Sequence, residues 1–305
     1  MGMKNYSPSL YFAKNLEANI LWNIRVPRVL LGCLAGGVLA VCGMVFQSMF
    51  RNPLATPFTL GVASGCSAGT AVYLALIPSF AFLGVDGISI FAFAGGGFAS
   101  LAVFSLTKIK KNYNSAYMLL AGIAVTLFFT SITMIVQYLA NFHQTFLIFR
   151  WIIGGIENIS YRKLIGLVPI FFSGITVIFF YSSELDLLLI GEEMAGSKGV
   201  AVDKVKITLF ATVSFLVSFI VAVCGPIAFV GMIVPHIFRL LIGPKHRYLL
   251  ICSFLGGGIF LAVCDTIARI AVAPSELPVG IITSFLGGPF FVWVLVKYAH
   301  KHNIF

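Results

Sequence analysis

The amino-acid sequence predicts an all-α protein: a polytopic transmembrane bundle of about nine spans in one domain over residues 25–305. Three observations predict it. Hydrophobic residues make up 59% of the 305 and charged residues only 10%, with a mean hydropathy of +1.02. A soluble domain carries about 25% charged residues. The apolar residues also gather in runs of bilayer length, since about 20 residues at ~1.5 Å rise cover a ~30 Å hydrocarbon core. Finally, no polar linker divides the chain into separate units.

Residues 1–24 hold Asn5, Ser7, Lys14, Asn15 and Glu17, which leave no uninterrupted apolar core and no secretory signal. This segment is expected at the interface or outside the membrane. The candidate spans then run, in order, over 29–49, 59–78, 87–107, 116–139, 163–181, 206–223, 227–242, 249–270 and 279–298. Arg25, Pro27 and Arg28 open the first, and only Gln47 and Ser48 interrupt its apolar run from Val29 to Phe50. Arg51, Asn52, Pro53 and Pro57 punctuate the chain before the second. Gly32 and Gly36, and then Gly61, Gly65 and Gly69, recur at four-residue spacing. That spacing lets helix backbones approach closely in lipid, so it predicts tight packing within the bundle.

Two connections stand apart. Within 141–162, FLIFRWIIGGI is apolar but too short and Gly-interrupted to span, which fits a half-helix at the surface. Between the fifth and sixth spans lies SSELDLLLIGEEMAGSKGVAVDK, too polar to span and too long for a simple connection. Its Leu187–Ile190, Met194 and Val200, set among Glu184, Asp186, Glu192, Glu193 and Asp203, predict short amphipathic helices whose acidic patch suits a basic partner. The alternative is a solvated loop. The sixth and seventh spans are expected to meet in a tight turn at Gly225-Pro226.

Net charge is +10. The basic residues sit in short loops between apolar runs, so topology accounts for them and nucleic-acid binding is not expected. One set of loops holds twelve Lys and Arg and the opposite set eight. The richer set is expected in the cytoplasm, which leaves the N-terminus outside and the C-terminus inside. The six cysteines, Cys33, Cys42, Cys66, Cys224, Cys252 and Cys264, lie in apolar stretches without a CxxC pair and read as buried small hydrophobes. His236 stands alone near a helix end. His143, His246, His300 and His302 read as loop or tail residues, and no metal site is expected. No clustered His/Asp/Glu or Ser/Lys arrangement in the spans suggests an enzyme.

Four segments together resemble the FecCD-type permeases of ABC importers. They are IRVPR…RNPLATPFTLGVASG at 24–65, LLIGEEMAGSKGV at 188–200, GPIAFVGMIVPHIFRLLIGPKHR at 225–247 and DTIARIAVAPSELPVGIITSFLGGPFFVWVL at 265–295. They occur in the family's order and cover nearly the whole chain. The resemblance implies a permease half that pairs with a second copy or a paralogue, with two cytoplasmic ATPase subunits and a substrate-binding protein completing the importer. The chain carries no GxxxxGK[ST] phosphate loop, so ATP and its Mg belong to the partner ATPase and this chain needs no cofactor of its own. The implied cargo is a metal chelate crossing the bacterial inner membrane, a ferric siderophore first, with cobalamin or haem as alternatives. Family members carry ten helices. Residues before Arg25 resemble the extracytoplasmic stretch after the family's first helix, so nine spans are expected here.

The resemblance also implies roles residue by residue. Arg25, Arg28 and Arg269 match arginines that dock the binding protein's carboxylates, a task suited to a planar guanidinium. Arg at a helix end also snorkels to the interface, which is the alternative reading. Asp265 lies four residues before Arg269 and is expected to support it as an ion pair. Asn52, Leu54 and Ser115 match cytoplasmic gate positions, although Pro53 and Pro57 also suit a simple chain-reversing turn. Gly191, Glu192, Glu193, Ala195 and Gly199 fall in the segment, about 184–204, that couples to the ATPase. An ion-gradient-driven secondary transporter is the competing class. It would need an intramembrane ion site, for which Asp265 is the one well-placed carboxylate.

Overall fold

The computed structural model describes residues 16–77, 80–82, 85–109, 115–157, 159–272 and 274–302. Helix α1, Leu16–Ile20, passes through a π-helical turn, Leu21–Arg25, into α2, Val26–Met49. A 3-10 turn, Pro57–Leu60, precedes α3, Val62–Leu76. A minimal antiparallel hairpin pairs β1, Ala81–Phe82, with β2, Val85–Asp86, and leads to α4, Gly87–Ile109. Then come α5, Ser115–Leu139; α6, Phe142–Ile153; and α7, Tyr161–Phe180. Two short helices follow, α8, Ser182–Ile190, and α9, Glu192–Ser197. The chain closes with α10, Val202–Cys224; α11, Val230–Ile242; α12, His246–Ile270; and α13, Val279–His302.

The helices over Ala18–Met49, Gly87–Lys108, Ser115–Leu139, Tyr161–Phe180, Val202–Cys224 and His246–Ile270 are long and apolar enough to cross a membrane. Val62–Leu76, Val230–Ile242 and Val279–Val294 are shorter apolar helices. These helices occupy the predicted spans, and α6 falls where the half-helix was expected. The boundaries shift where backbone chemistry intervenes. Pro57 opens a 3-10 turn that Gly61 closes at φ +82°, so α3 starts three residues later than predicted. Gly225 and Phe229 both hold positive φ, which delays α11 to Val230. Residues 16–24, expected outside the bundle, are helical and continue directly into α2. Residues 1–15 lie outside the described residues, and with them Lys4 and Lys14 of the charge argument. Lys110 and Lys111 do too.

The core is built around α2, which packs on α12, α11, α10, α7 and α8. Every residue from Ala35 to Phe50 is buried. A helix that is apolar all round has no solvent face and must sit inside the bundle. Glycine makes this possible. A Cβ at Gly36 would overlap the Gly257 carbonyl of α12, and one at Gly43 would overlap the Gly231 carbonyl of α11. The second crossing uses the same device, with Gly65 of α3 against Gly95 of α4. Polar anchors complete the packing at the C-terminal end of α2, where Gln47 Nε2 donates to the Met232 carbonyl at 3.1 Å. By contrast α5 buries only a stripe, Ser115, Met118, Gly122, Val125, Thr133 and Val136, and turns its remaining apolar surface outward.

Candidate functional site

The two ends of α2 carry two separate polar clusters. A 24-residue helix separates them, about 35 Å at ~1.5 Å per residue.

At the N-terminal end, the π turn finishes on Arg25 and Pro27 occupies the first turn of α2. Pro27 lies inside a continuous helical run and lacks an N–H, and the π turn immediately before it is where the regular backbone ladder is interrupted. One turn on, Arg28 reaches across to α12. Its Nη2 and Nε both donate to Asp265 Oδ1, at 2.9 and 3.2 Å, and its Nη1 donates to Glu276 Oε2 at 2.7 Å. Arg269 Nε approaches the other Asp265 oxygen at 3.1 Å, across the expected four-residue spacing. Asp265 is thus held by two arginines, of which the sequence suggested only Arg269. The cluster is sealed at its base and open at its rim: Asp265 and Arg28 side chains are 3% and 11% exposed, Glu276 57%. The hydrogen bond from Arg28 holds the Glu276 carboxyl below its usual range, outweighing the opposing effect of burial. Arg25, Arg28, Asp265 and Arg269 therefore share one end of the bundle. Glu276 was missed, and its exposed position in SELP gave no signal of its partner.

The C-terminal end of α2 meets the second group of predicted residues. Arg51 adopts φ +48° and turns the chain out of α2. The Asn52 N–H then donates to the Gln47 carbonyl at 3.1 Å, and Asn52 Oδ1 accepts from the Leu54 N–H at 2.9 Å. This side-chain turn, with Pro53 restricting the residue before it, fixes the loop that presents Leu54. Ser115 begins α5 beside this loop, with its Oγ 3.1 Å from the Met49 carbonyl and 2.8 Å from Glu192 Oε1. Glu192 opens α9 after Gly191, whose positive φ of 154° suits glycine, and Ala195 anchors that helix in the core. Gly199 ends the segment at φ +85°, while Glu193 faces outward.

Sequence reasoning assigned Glu192 to an external charge contact. The structure turns it inward, where Lys206 Nζ lies 2.6 Å from Glu192 Oε1 and donates to Ser115 Oγ at 3.2 Å. Burial alone would raise the Glu192 carboxyl, but hydrogen bonds from Lys206 and Ser115 and the charges of Lys206 and Arg51 outweigh it and hold it below the usual value. Lys206, with a fully buried side chain, entered the sequence reading only as a loop charge. The missed signal was a lysine inside the apolar register of VKITLF. His246, read from sequence as a loop residue, is likewise fully buried at the start of α12. Its aromatic ring fills space between helices, which a loop residue would not.

A model of the FecCD transport family matches residues 2–297. The cobalamin import system permease protein BtuC of Halobacterium salinarum is 38% identical over 291 residues, 95% of this chain and 77% of that protein. The Fe(3+) dicitrate transport system permease protein FecD of Escherichia coli is 34% identical over 280 residues, 91% and 85% of the two chains. A solved structure described as an inward-facing conformation of a metal-chelate type ABC transporter superposes with a TM-score of 0.81 at 28% identity, covering 97% of this chain and 93% of that one.

Proposed function

The chain belongs to the FecCD transport family, and on that premise we propose that it moves a chelated metal through the membrane as one half of an ATP-driven importer. It is a permease subunit and not an enzyme. Its hydrolysis partner is a separate ATPase that supplies ATP and Mg chemistry. The observation that carries this reading is the match of the family model along residues 2–297, with relatives of permease name at the same coverage.

The two clusters then take distinct roles. Arg25, Arg28 and Arg269 lie at the end that would receive the binding protein. The Arg28–Glu276 contact supports a docking exchange, in which carboxylates of the binding protein compete with Glu276 for the guanidinium. Asp265 holds Arg28 and Arg269 in place for that exchange. At the opposite end, Asn52, Leu54 and Ser115 form the gate, and Gly191, Glu192, Glu193, Ala195 and Gly199 form the element that meets the ATPase. Glu193 faces outward for that contact, whereas Glu192 ties the element to the gate through Ser115. Movement of α8 and α9 would therefore reach the end of α2 without an intervening flexible loop, as a switch between two packings.

The cargo we favour is a ferric siderophore. A relative named for ferric dicitrate and a structural neighbour of metal-chelate type support a chelated metal. Cobalamin, for which the Halobacterium relative is named, and haem are the alternatives. A second copy or a paralogue completes the pathway, and the importer resides in the bacterial inner membrane.

Affinity purification of the tagged chain from its own membranes tests the assembly. The expected result is recovery of a Walker-motif ATPase in equal amount with the permease pair. Recovery of the chain without any ATPase would overturn the reading. Reversing Glu193 to Lys should weaken that recovery while leaving the Glu192–Lys206 pair intact.

A further inference from the structure

We propose that His246 is a positioning residue that ties α8 to the gate end of α2, forming with Asp186 and Ser48 a second link beside the one through Glu192. The inference rests on the permease reading above and names its transmission path. Asp186, on α8, accepts through Oδ1 from both the His246 backbone N–H at 2.9 Å and the His246 ring Nδ1 at 2.6 Å. Because a carboxylate only accepts, Nδ1 carries a proton. The opposite ring nitrogen, Nε2, lies 2.5 Å from Ser48 Oγ on the last turn of α2. Ser48 Oγ is also 2.9 Å from the Met44 carbonyl and accepts from Arg239 Nη2 of α11 at 3.2 Å.

The order Ser–His–Asp resembles a hydrolase triad, but burial excludes that chemistry here. Ser48 and His246 are both sealed, and only Asp186, 41% exposed at its side chain, meets solvent. A nucleophile that no substrate can reach does no hydrolysis. Fold stability does not require the arrangement either. Ser48 can satisfy its hydroxyl on the Met44 carbonyl alone, a common local bond in helices. An apolar ring at 246 would fill the volume without the cost of burying a polar one. What the imidazole adds is rigidity, because its two nitrogens sit on one planar ring with no torsion between them. The ring therefore holds Asp186 and Ser48 at a spacing set by its two nitrogens.

The placement gives this link its purpose. Ser48 and Met49 are consecutive in α2. Ser48 is held by Asp186 through His246, and the Met49 carbonyl by Ser115, whose hydroxyl oxygen accepts from the Lys206 ammonium that Glu192 pairs. Two carboxylates of one extramembrane segment thus grip adjacent residues of the turn that leads into Arg51, Asn52 and Leu54. One attachment would set the position of that turn, while two also set its rotation about the helix axis.

The test uses the full complex, with ATPase subunits and binding protein, in proteoliposomes supplied in turn with ferric siderophore, ferric citrate, haemin and cyanocobalamin. The readout is ATP hydrolysed per chelate taken up. Asp186→Ala, His246→Asn and Ser48→Ala should each raise this ratio about fivefold, the scale of coupling lost along a packed network. The Asp186→Ala/Ser48→Ala double variant should rise no further than either single, because both cuts break the same link. His246→Phe, which restores volume without the bonds, should be as uncoupled as His246→Asn. Asp186 is partly exposed, so its variant keeps the test open if a change at His246 prevents folding. A wild-type ratio in Asp186→Ala, or effects that multiply in the double variant, would overturn the link. Failure of the wild-type complex to take up any chelate with ATP would instead overturn the permease reading, and the link with it.

Discussion

Lys206 decides how the inner cluster behaves. An ammonium with no solvent exposure is costly to bury, and its pairing with Glu192 and its bond to Ser115 offset that cost. Replacing Glu192 by Ala should therefore cost more than losing a surface pair. Breaking a fully buried pair costs about 3–5 kcal/mol, and the 30% exposure of the Glu192 side chain reduces this to about 1–3 kcal/mol by admitting water. Thermal unfolding of the detergent-solubilised protein checks the value. The double variant Glu192→Ala/Lys206→Met should recover most of the loss, since it removes the buried charge as well as its carboxylate partner. The same pair fixes a pH dependence. The folded Glu192 carboxyl lies below its ordinary value of about 4.5, so its stabilisation is fully present above that value and is lost as pH falls through the folded one. Glu192→Gln should flatten the melting temperature against pH in that acid range, and an unchanged slope would show that another group sets it. The sequence made the carboxylate visible, but not its partner. Lys206 is fourteen residues away along the chain and meets Glu192 only because α10 folds back past α9.

Helix α2 is the element on which both clusters depend, and its glycines set how closely its neighbours approach. Gly43→Ala would drive a methyl into the Gly231 carbonyl of α11. Backbone cannot rotate away as a side chain can, so the expected loss is about 1–3 kcal/mol, with α11 and its Arg239 displaced from Ser48. Gly97→Ala in α4 is the control, because nothing lies within 4 Å of the added carbon. It should be neutral, or stabilising by up to about 1 kcal/mol through helix propensity. Unfolding curves of the two variants separate contact from composition, and equal losses would refute the packing argument. The spacing of Gly32 and Gly36 is by itself enough to announce close helix packing. The partners Gly257 and Gly231 were not legible, because the pairing joins elements some two hundred residues apart. The π turn before α2 left no sequence signal at all. Proline and glycine did mark the true start of α3, through backbone angles rather than hydrophobicity, whereas α11 starts after Phe229, whose positive φ its residue type did not announce.

Across the described residues the ion pairs lie at helix ends, with glycine-packed apolar helix between them. The sequence conveyed this division well: each end of the first apolar run was bracketed by charge and proline, and Arg28 and Asn52 do lie at opposite ends of α2. It conveyed less of how each end closes on itself, since Arg28 to Glu276 and Ser48 to His246 are contacts between distant segments. From the bias of the basic loops we place the α8–α9 end in the cytoplasm, and a membrane-impermeant maleimide tests this on whole cells. Ser275→Cys, at the Arg28 end, should react on intact cells, and Glu193→Cys only after permeabilisation; the reverse pattern would invert the orientation. The central claim is that this chain is driven by a partner's ATP hydrolysis and not by an ion gradient. Its most direct test is accumulation of ferric siderophore, ferric citrate, haemin or cobalamin in proteoliposomes holding the full complex. Accumulation of one of them only when ATP and the ATPase subunits are both present is the predicted result. Accumulation driven by an ion gradient without ATP would contradict it.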